Sequence, residues 1–172
     1  MPIVPDTKDW TWVAERRCDE CGFDPATVVT ADVAPLLRRT AERWVSFLSG
    51  EHEDLRRRPD DSRWAPIEYA AHVRDVIRIY DERLRLMVET DDPLYQNWDQ
   101  DQSAVDERYL ELDPADISRA IASEGPALAD RFAAVTDWQR PGRRSDGARF
   151  TTESFARYFL HDLLHHLQDV GA

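Results

Sequence analysis

Four stretches of this chain repeat apolar residues at the spacing of a helix face, and no stretch alternates apolar and polar residues as a strand would. The first begins at Thr30-Ala31-Asp32, with Thr30 as the expected N-cap and an acidic first turn. It carries Val33, Leu36, Leu37, Trp44, Val45, Phe47 and Leu48 before Gly50 stops it. The second runs from about Pro66, a residue suited to the first helical position, to Glu89. Its stripe is Ile67, Ala70, Ala71, Val73, Val76, Ile77, Tyr80, Leu84 and Met87. Asp113-Pro114 opens the third, which continues through Ile117, Ile121, Leu128 and Phe132 to about Trp138, with a kink expected at Gly125-Pro126. Thr151 or Thr152 caps the fourth, whose inner face is Phe155, Phe159, Leu160, Leu163, Leu164 and Leu167. Four long amphipathic helices predict an all-α protein, a four-helix bundle over residues 30–172.

The remaining segments are connections and one extension. Residues 1–29 hold Trp10, Trp12 and Phe23 together with Pro2, Pro5, Gly22 and Pro25, which argue against a long helix. They read as an N-terminal extension that wraps the bundle and anchors in apolar grooves. The connection from Thr90 to Leu112 is long and rich in aromatic residues, so a packed cap or lid is expected there. Pro141 to Ala148 form a turn-rich, hairpin-like link.

Charge narrows the function. The 34 acidic residues exceed the 22 basic ones, giving a net charge of −12 that repels a phosphate backbone and argues against nucleic-acid binding. Arg56-Arg57-Arg58 and Arg140 to Arg144 are short and read as solvated turns. No apolar run approaches the roughly 18 residues a membrane span needs, and the first six residues do not read as a signal peptide, so a cytoplasmic protein is expected.

The chemistry concentrates near the C-terminus. His161 and His165 are four residues apart, so a helix stacks them on one face, as for a shared metal ion. His72, on the apolar side of the second helix, would supply a third imidazole. Three neutral imidazoles suit a metal site that keeps a position open for water or substrate. His166 lies about 100° round the helix from His165 and is expected at the surface or behind the ligands. His52 sits in a polar stretch and is expected to be exposed. The competing reading is that these histidines merely pack.

Three segments carry a resemblance. Trp64-Ala65-Pro66-Ile67-Glu68-Tyr69-Ala70-Ala71-His72-Val73-Arg74-Asp75, Asn97-Trp98-Asp99-Gln100-Asp101 and His161-Asp162-Leu163-Leu164-His165 together resemble the DinB-like superfamily of metal-binding four-helix bundles. That group includes the N-terminal domain of mycothiol-dependent maleylpyruvate isomerase and bacterial thiol S-transferases. The resemblance implies a metal triad of His72, His161 and His165. The implied ion is divalent, with zinc the default over nickel, iron or manganese. Tyr69, Tyr158 and Asp162 become candidates to orient ligands or substrate. The implied activity is S-transfer or isomerisation of a small electrophile, with a low-molecular-weight thiol as nucleophile. Mycothiol is the expected thiol because abundant Arg and scarce Lys suggest a high-GC, actinobacterial genome. The alternatives are a metal-activated-water hydrolase and a non-catalytic protein that binds metal or ligand. Exposed apolar helix faces would suit a homodimer.

Cys18-Asp19-Glu20-Cys21-Gly22 looks like half of a zinc knuckle, and no further cysteines supply the other half. Three readings stay open for Cys18 and Cys21: an incidental or structural pair, a redox dithiol, and a secondary metal site shared with a histidine or a partner chain. The segment lies outside the core to which the resemblance extends.

Overall fold

The computed structural model describes residues 3–4, 8–52 and 54–172, and the expected helix breakers Pro2 and Pro5 lie outside the described residues. The long helices are α1 (Thr30–Leu48), α2 (Pro66–Glu89), α4 (Pro114–Ala133) and α5 (Thr152–Asp169). A short α3 (Gln100–Asp106) sits in the long connection. Both α1 and α2 pack on α4 and α5, so the four long helices form a bundle with the second and fifth helices side by side. No helix among the described residues is long and apolar enough to cross a membrane.

Local chemistry sets where the helices begin. Asp113 accepts the Ala115 N–H and Pro114 follows at the first helical position. Thr151 accepts the Ser154 N–H at 3.1 Å while Ser154 Oγ accepts the Thr151 N–H at 3.0 Å, a reciprocal cap. The Glu68 carboxylate accepts the Ala65 N–H at 2.9 Å and holds Arg58 Nε at 2.7 Å, which ties the polar connection onto α2. The expected cap at Thr30 is corrected. Val29 holds the cap position in extended backbone without a side-chain bond, Thr30 is already helical, and the Asp32 N–H takes the Val29 carbonyl. The third long helix also ends earlier than expected, at Ala133, and continues unbroken through Pro126. Trp138 lies beyond its end and stacks on Phe132, with centroids 6.2 Å apart.

The core runs through Leu37, Trp44, Ile77, Leu84, Phe132, Phe155 and Phe159, all essentially inaccessible to solvent. Trp44 donates its indole N–H to the Leu163 carbonyl at 3.1 Å, joining α1 to α5 at the level of the histidines. Gly125 lets α4 approach α1 closely, since a Cβ there would stand 2.9 Å from Ala41 Cβ.

A small sheet is added to the helical frame. Strands β1 (Leu94–Tyr95), β2 (Pro141–Arg144) and β3 (Arg149–Thr151) lie in that order, β1 parallel and β3 antiparallel to β2. The expected hairpin is therefore β2–β3, and the long connection adds an edge strand to it. That connection is packed rather than slack. Tyr109 is fully buried and donates its hydroxyl to Asp75, which also takes Arg74 Nε at 2.7 Å, while Arg74 reaches Glu107 at 2.6 Å. Tyr109→Phe leaves the buried Asp75 carboxylate short of one donor and should cost about 1–3 kcal/mol. A lower urea midpoint at unchanged slope reads that loss; an unmoved midpoint would show the network to be idle.

Residues 8–29 lie against α5. The 3-10 turn Thr11–Ala14 packs on that helix, Arg157 donates from Nε and Nη2 to the Val28 carbonyl at 3.2 and 3.1 Å, and Gln168 donates to the Glu20 carbonyl.

Candidate metal centre

Helix α5 presents two i, i+4 pairs in adjacent registers, His161/His165 and Asp162/His166. One residue is about 100° of rotation, so the pairs look toward different neighbours. The structure does not gather the expected triad at one point. Two groups form instead among the described residues: His72 with Asp162 and His166, and Cys18 and Cys21 with His161 and His165. In each, one donor atom per residue lies within 4.8 Å of the others. His166, expected at the surface or behind the ligands, is thus a member of the group that contains His72.

In the first group Asp162 is the hinge. Its Oδ1 lies 3.1 Å from His72 Nε2 and 3.4 Å from His166 Nε2. His166 is oriented from behind, since its Nδ1 lies 2.7 Å from Asp169 Oδ2. A ligating imidazole is commonly fixed in this way. Trp98 stacks flat on His72, centroids 5.2 Å apart and planes 6° from parallel, and Trp64 closes another side at 5.2 Å. Burial alone would raise the Asp162 carboxyl, but His72 and then His166 and His161 hold it down at about 2. Burial works against a charge on His166, yet the Asp169 hydrogen bond and the Asp162 carboxylate outweigh it and hold its pKa above the ordinary value.

These donors fit a divalent ion. A tetrahedral ion with bonds of about 2.0–2.2 Å to nitrogen and oxygen holds its ligands roughly 3.3–3.6 Å apart; the 3.4 Å separation here falls in that range and the 3.1 Å one just below it. Two imidazoles and one carboxylate are a common catalytic donor set, leaving one position or more to a substrate.

The second group is partly enclosed. Cys18 is fully buried and His161 4% exposed, Cys21 and His165 are half-buried, and neither cysteine is in a disulfide. Cys18 Sγ lies 3.8 Å from His165 Nδ1, and the other face of that ring looks at Glu20 and Asp169 carboxylates 3.8 and 3.9 Å away. Trp10 packs on both rings, 5.7 Å from His161 and 5.1 Å from His165, and Phe23 adds an edge contact to His161 at 5.7 Å. Burial and then the neighbouring His165 push His161 down to about 4, and burial pushes Cys21 up to about 11. A dithiol poised for redox work has the opposite character, an exposed and stabilised thiolate.

Both groups border a cavity of about 470 Å³, whose walls include Trp10, Trp64, Tyr69 and Tyr158. Tyr69 packs 4.9 Å from His166, and burial with the nearby Asp169 charge pushes its hydroxyl up to about 12. Burial likewise raises Tyr158, against the Arg144 hydrogen bond. Both phenols are therefore available as hydrogen-bond donors at neutral pH. His52 stands apart, with Nε2 2.6 Å from the Phe47 carbonyl.

Comparison with known proteins agrees with this architecture. YfiT from Bacillus subtilis, described as a probable metal-dependent hydrolase with an unusual four-helix bundle topology, superposes with a TM-score of 0.74 at 14% identity. The match covers 84% of this chain and 88% of that one. No curated protein matches the sequence. A sequence profile described as the DinB superfamily matches residues 36–170, starting inside α1 and ending just past α5. The chain belongs to the DinB superfamily.

Proposed function

We propose that this protein is a metal-dependent enzyme whose divalent ion is held by His72, Asp162 and His166. The observation that carries the reading is the convergence of two imidazole nitrogens on Asp162 Oδ1, at 3.1 and 3.4 Å, beside an open cavity. Three protein ligands beside a cavity leave a coordination position for water or substrate, the arrangement of a catalytic site. A divalent ion bound there would lower the pKa of a thiol or water that meets it, supplying a nucleophile near neutral pH.

The chain's own residues do the rest. Asp169 sets which nitrogen His166 offers, and Trp98 and Trp64 fix the His72 ring and keep bulk water from it. Tyr69 and Tyr158 present protonated hydroxyl groups to the cavity, suited to hydrogen-bonding a carbonyl or other electron-poor group on a bound molecule. The substrate class is a small electrophile, and the nucleophile a low-molecular-weight thiol such as mycothiol. The similarity to YfiT supports a second reading, in which water is the nucleophile and the protein is a hydrolase.

The experiment is a screen of small electrophiles with metal-loaded protein, with and without mycothiol, following both electrophile loss and thiol consumption. Turnover only with thiol, at one thiol per product, is the expected result. Turnover without thiol would select the hydrolase. No turnover under either condition by protein with one ion per His72 group would overturn the enzymatic reading in favour of metal binding alone.

A further inference from the structure

The pair Cys18-x-x-Cys21 and the pair His161-x-x-x-His165 are each spaced as the halves of a tetrahedral zinc site. They belong to opposite ends of the chain, with Cys18 and His165 147 positions apart. The fold nevertheless brings one donor from each of the four residues within 4.8 Å of the others. We propose that Cys18, Cys21, His161 and His165 form a second, structural zinc site, separate from the His72 group, which fastens the N-terminal extension to α5.

Three observations carry this. The donor set is complete: two sulfurs and two imidazoles, one donor from each within 4.8 Å of the others, suit zinc and fill its four positions. Zinc bonds of about 2.3 Å to sulfur and 2.0–2.1 Å to nitrogen place adjacent ligands roughly 3.3–3.8 Å apart, and Cys18 Sγ stands 3.8 Å from His165 Nδ1. The loop is also shaped for it. The Gly22 amide donates to the Cys18 carbonyl at 2.8 Å, the Cys18 amide donates to the Phe23 carbonyl at 2.8 Å, and Gly22 adopts φ +75°, so the chain doubles back and turns both thiols toward α5. A side chain at position 22 would be strained in that conformation. Finally, His161 Nε2 is buried with no hydrogen-bond partner, and neither cysteine is tied up in a disulfide. His165 turns its other nitrogen toward the Glu20 and Asp169 carboxylates, as a zinc-bound imidazole does.

The consequence for the known cavity is mechanical. Trp10, which covers both imidazoles of the zinc site, is also a wall of the cavity beside Asp162 and His166. The zinc would hold that wall in place without touching substrate.

The test uses the full chain without a polyhistidine tag. Metal and thiol are counted together, and the metal is exchanged for cobalt. The expected result is up to two ions per chain, one of them released in step with titration of the two thiols by an organomercurial. Cobalt should give intense tetrahedral bands with a near-ultraviolet thiolate charge-transfer band. Cys21→Ser should lose that band and one ion, and lower the melting temperature by about 10 °C or more. Asp162→Asn should keep the band while losing the other ion, which separates this proposal from the reading of the His72 group. Thiols that react freely in metal-saturated protein, or cobalt protein without a thiolate band, would overturn the proposal. So would loss of the band in Asp162→Asn, because it would make the two groups one site. If Cys21→Ser does not fold, the wild-type cobalt spectrum alone decides.

Discussion

Asp162→Asn should lower kcat/KM by roughly two orders of magnitude or more, with loss of the ion held by the His72 group. The substitution keeps the size of the side chain but removes the charge on which His72 and His166 converge. An amide is a far weaker ligand for a divalent ion than a carboxylate, and the several kcal/mol of electrostatic assistance from a Lewis acid go with it. The buried His72 and half-buried His166 also lose the anion they share. Because Asp162 faces away from the cysteines, the fold should survive, and circular dichroism with metal analysis separates loss of metal from loss of structure. Full turnover with full metal content in the Asn variant would rule out Asp162 as a ligand.

Trp44→Ala should destabilise the protein by about 3–5 kcal/mol, the range for truncating a buried aromatic side chain. Trp44 is fully buried, and its indole N–H is bonded to the Leu163 carbonyl between the two pairs of α5 ligands. The variant therefore opens a cavity and also removes the indole donor from the Leu163 carbonyl, which keeps its place in the α5 ladder. For a chain of this length the melting temperature should fall by about 10 °C or more. Calorimetry on metal-free protein reads the packing loss without the contribution of bound ions. A fall of less than a few degrees would mean that the neighbouring helices collapse into the space.

Much of this architecture is written in side-chain periodicity. The stripes through Leu37 and Trp44, Ile77 and Leu84, and Phe155 and Phe159 place the long helices because a period of 3.6 is a local property of the chain. Pro66, Asp113-Pro114 and Thr151 mark helix starts for the same reason. Of the small sheet, only the hairpin-like link that became β2–β3 was legible, and the addition of β1 was not. Strands of two to four residues are too short to show alternation, and β1 pairs with β2 through backbone bonds between distant segments, such as Arg143 N–H to the Pro93 carbonyl at 2.8 Å. The resemblance of three segments to DinB-like proteins pointed to the family, and the profile match over residues 36–170 bears that out.

The candidate site divides along the same line. Sequence by itself determined that α5 would carry side chains of metal-ligating type one turn apart, and that a Cys-x-x-Cys pair would offer two sulfurs. Spacing alone does not distinguish the His161/His165 register, the one expected from sequence, from Asp162/His166. The rotation of α5 about its own axis makes that choice, and packing against α1, α2 and the N-terminal extension sets the rotation. With Trp44 bonded to Leu163 and Phe159 in the core, Asp162 and His166 turn to His72. The same rotation turns His161 and His165 to Cys18 and Cys21. The partner of a half-site 147 positions away is a tertiary fact, since only the folded chain brings those donors into reach.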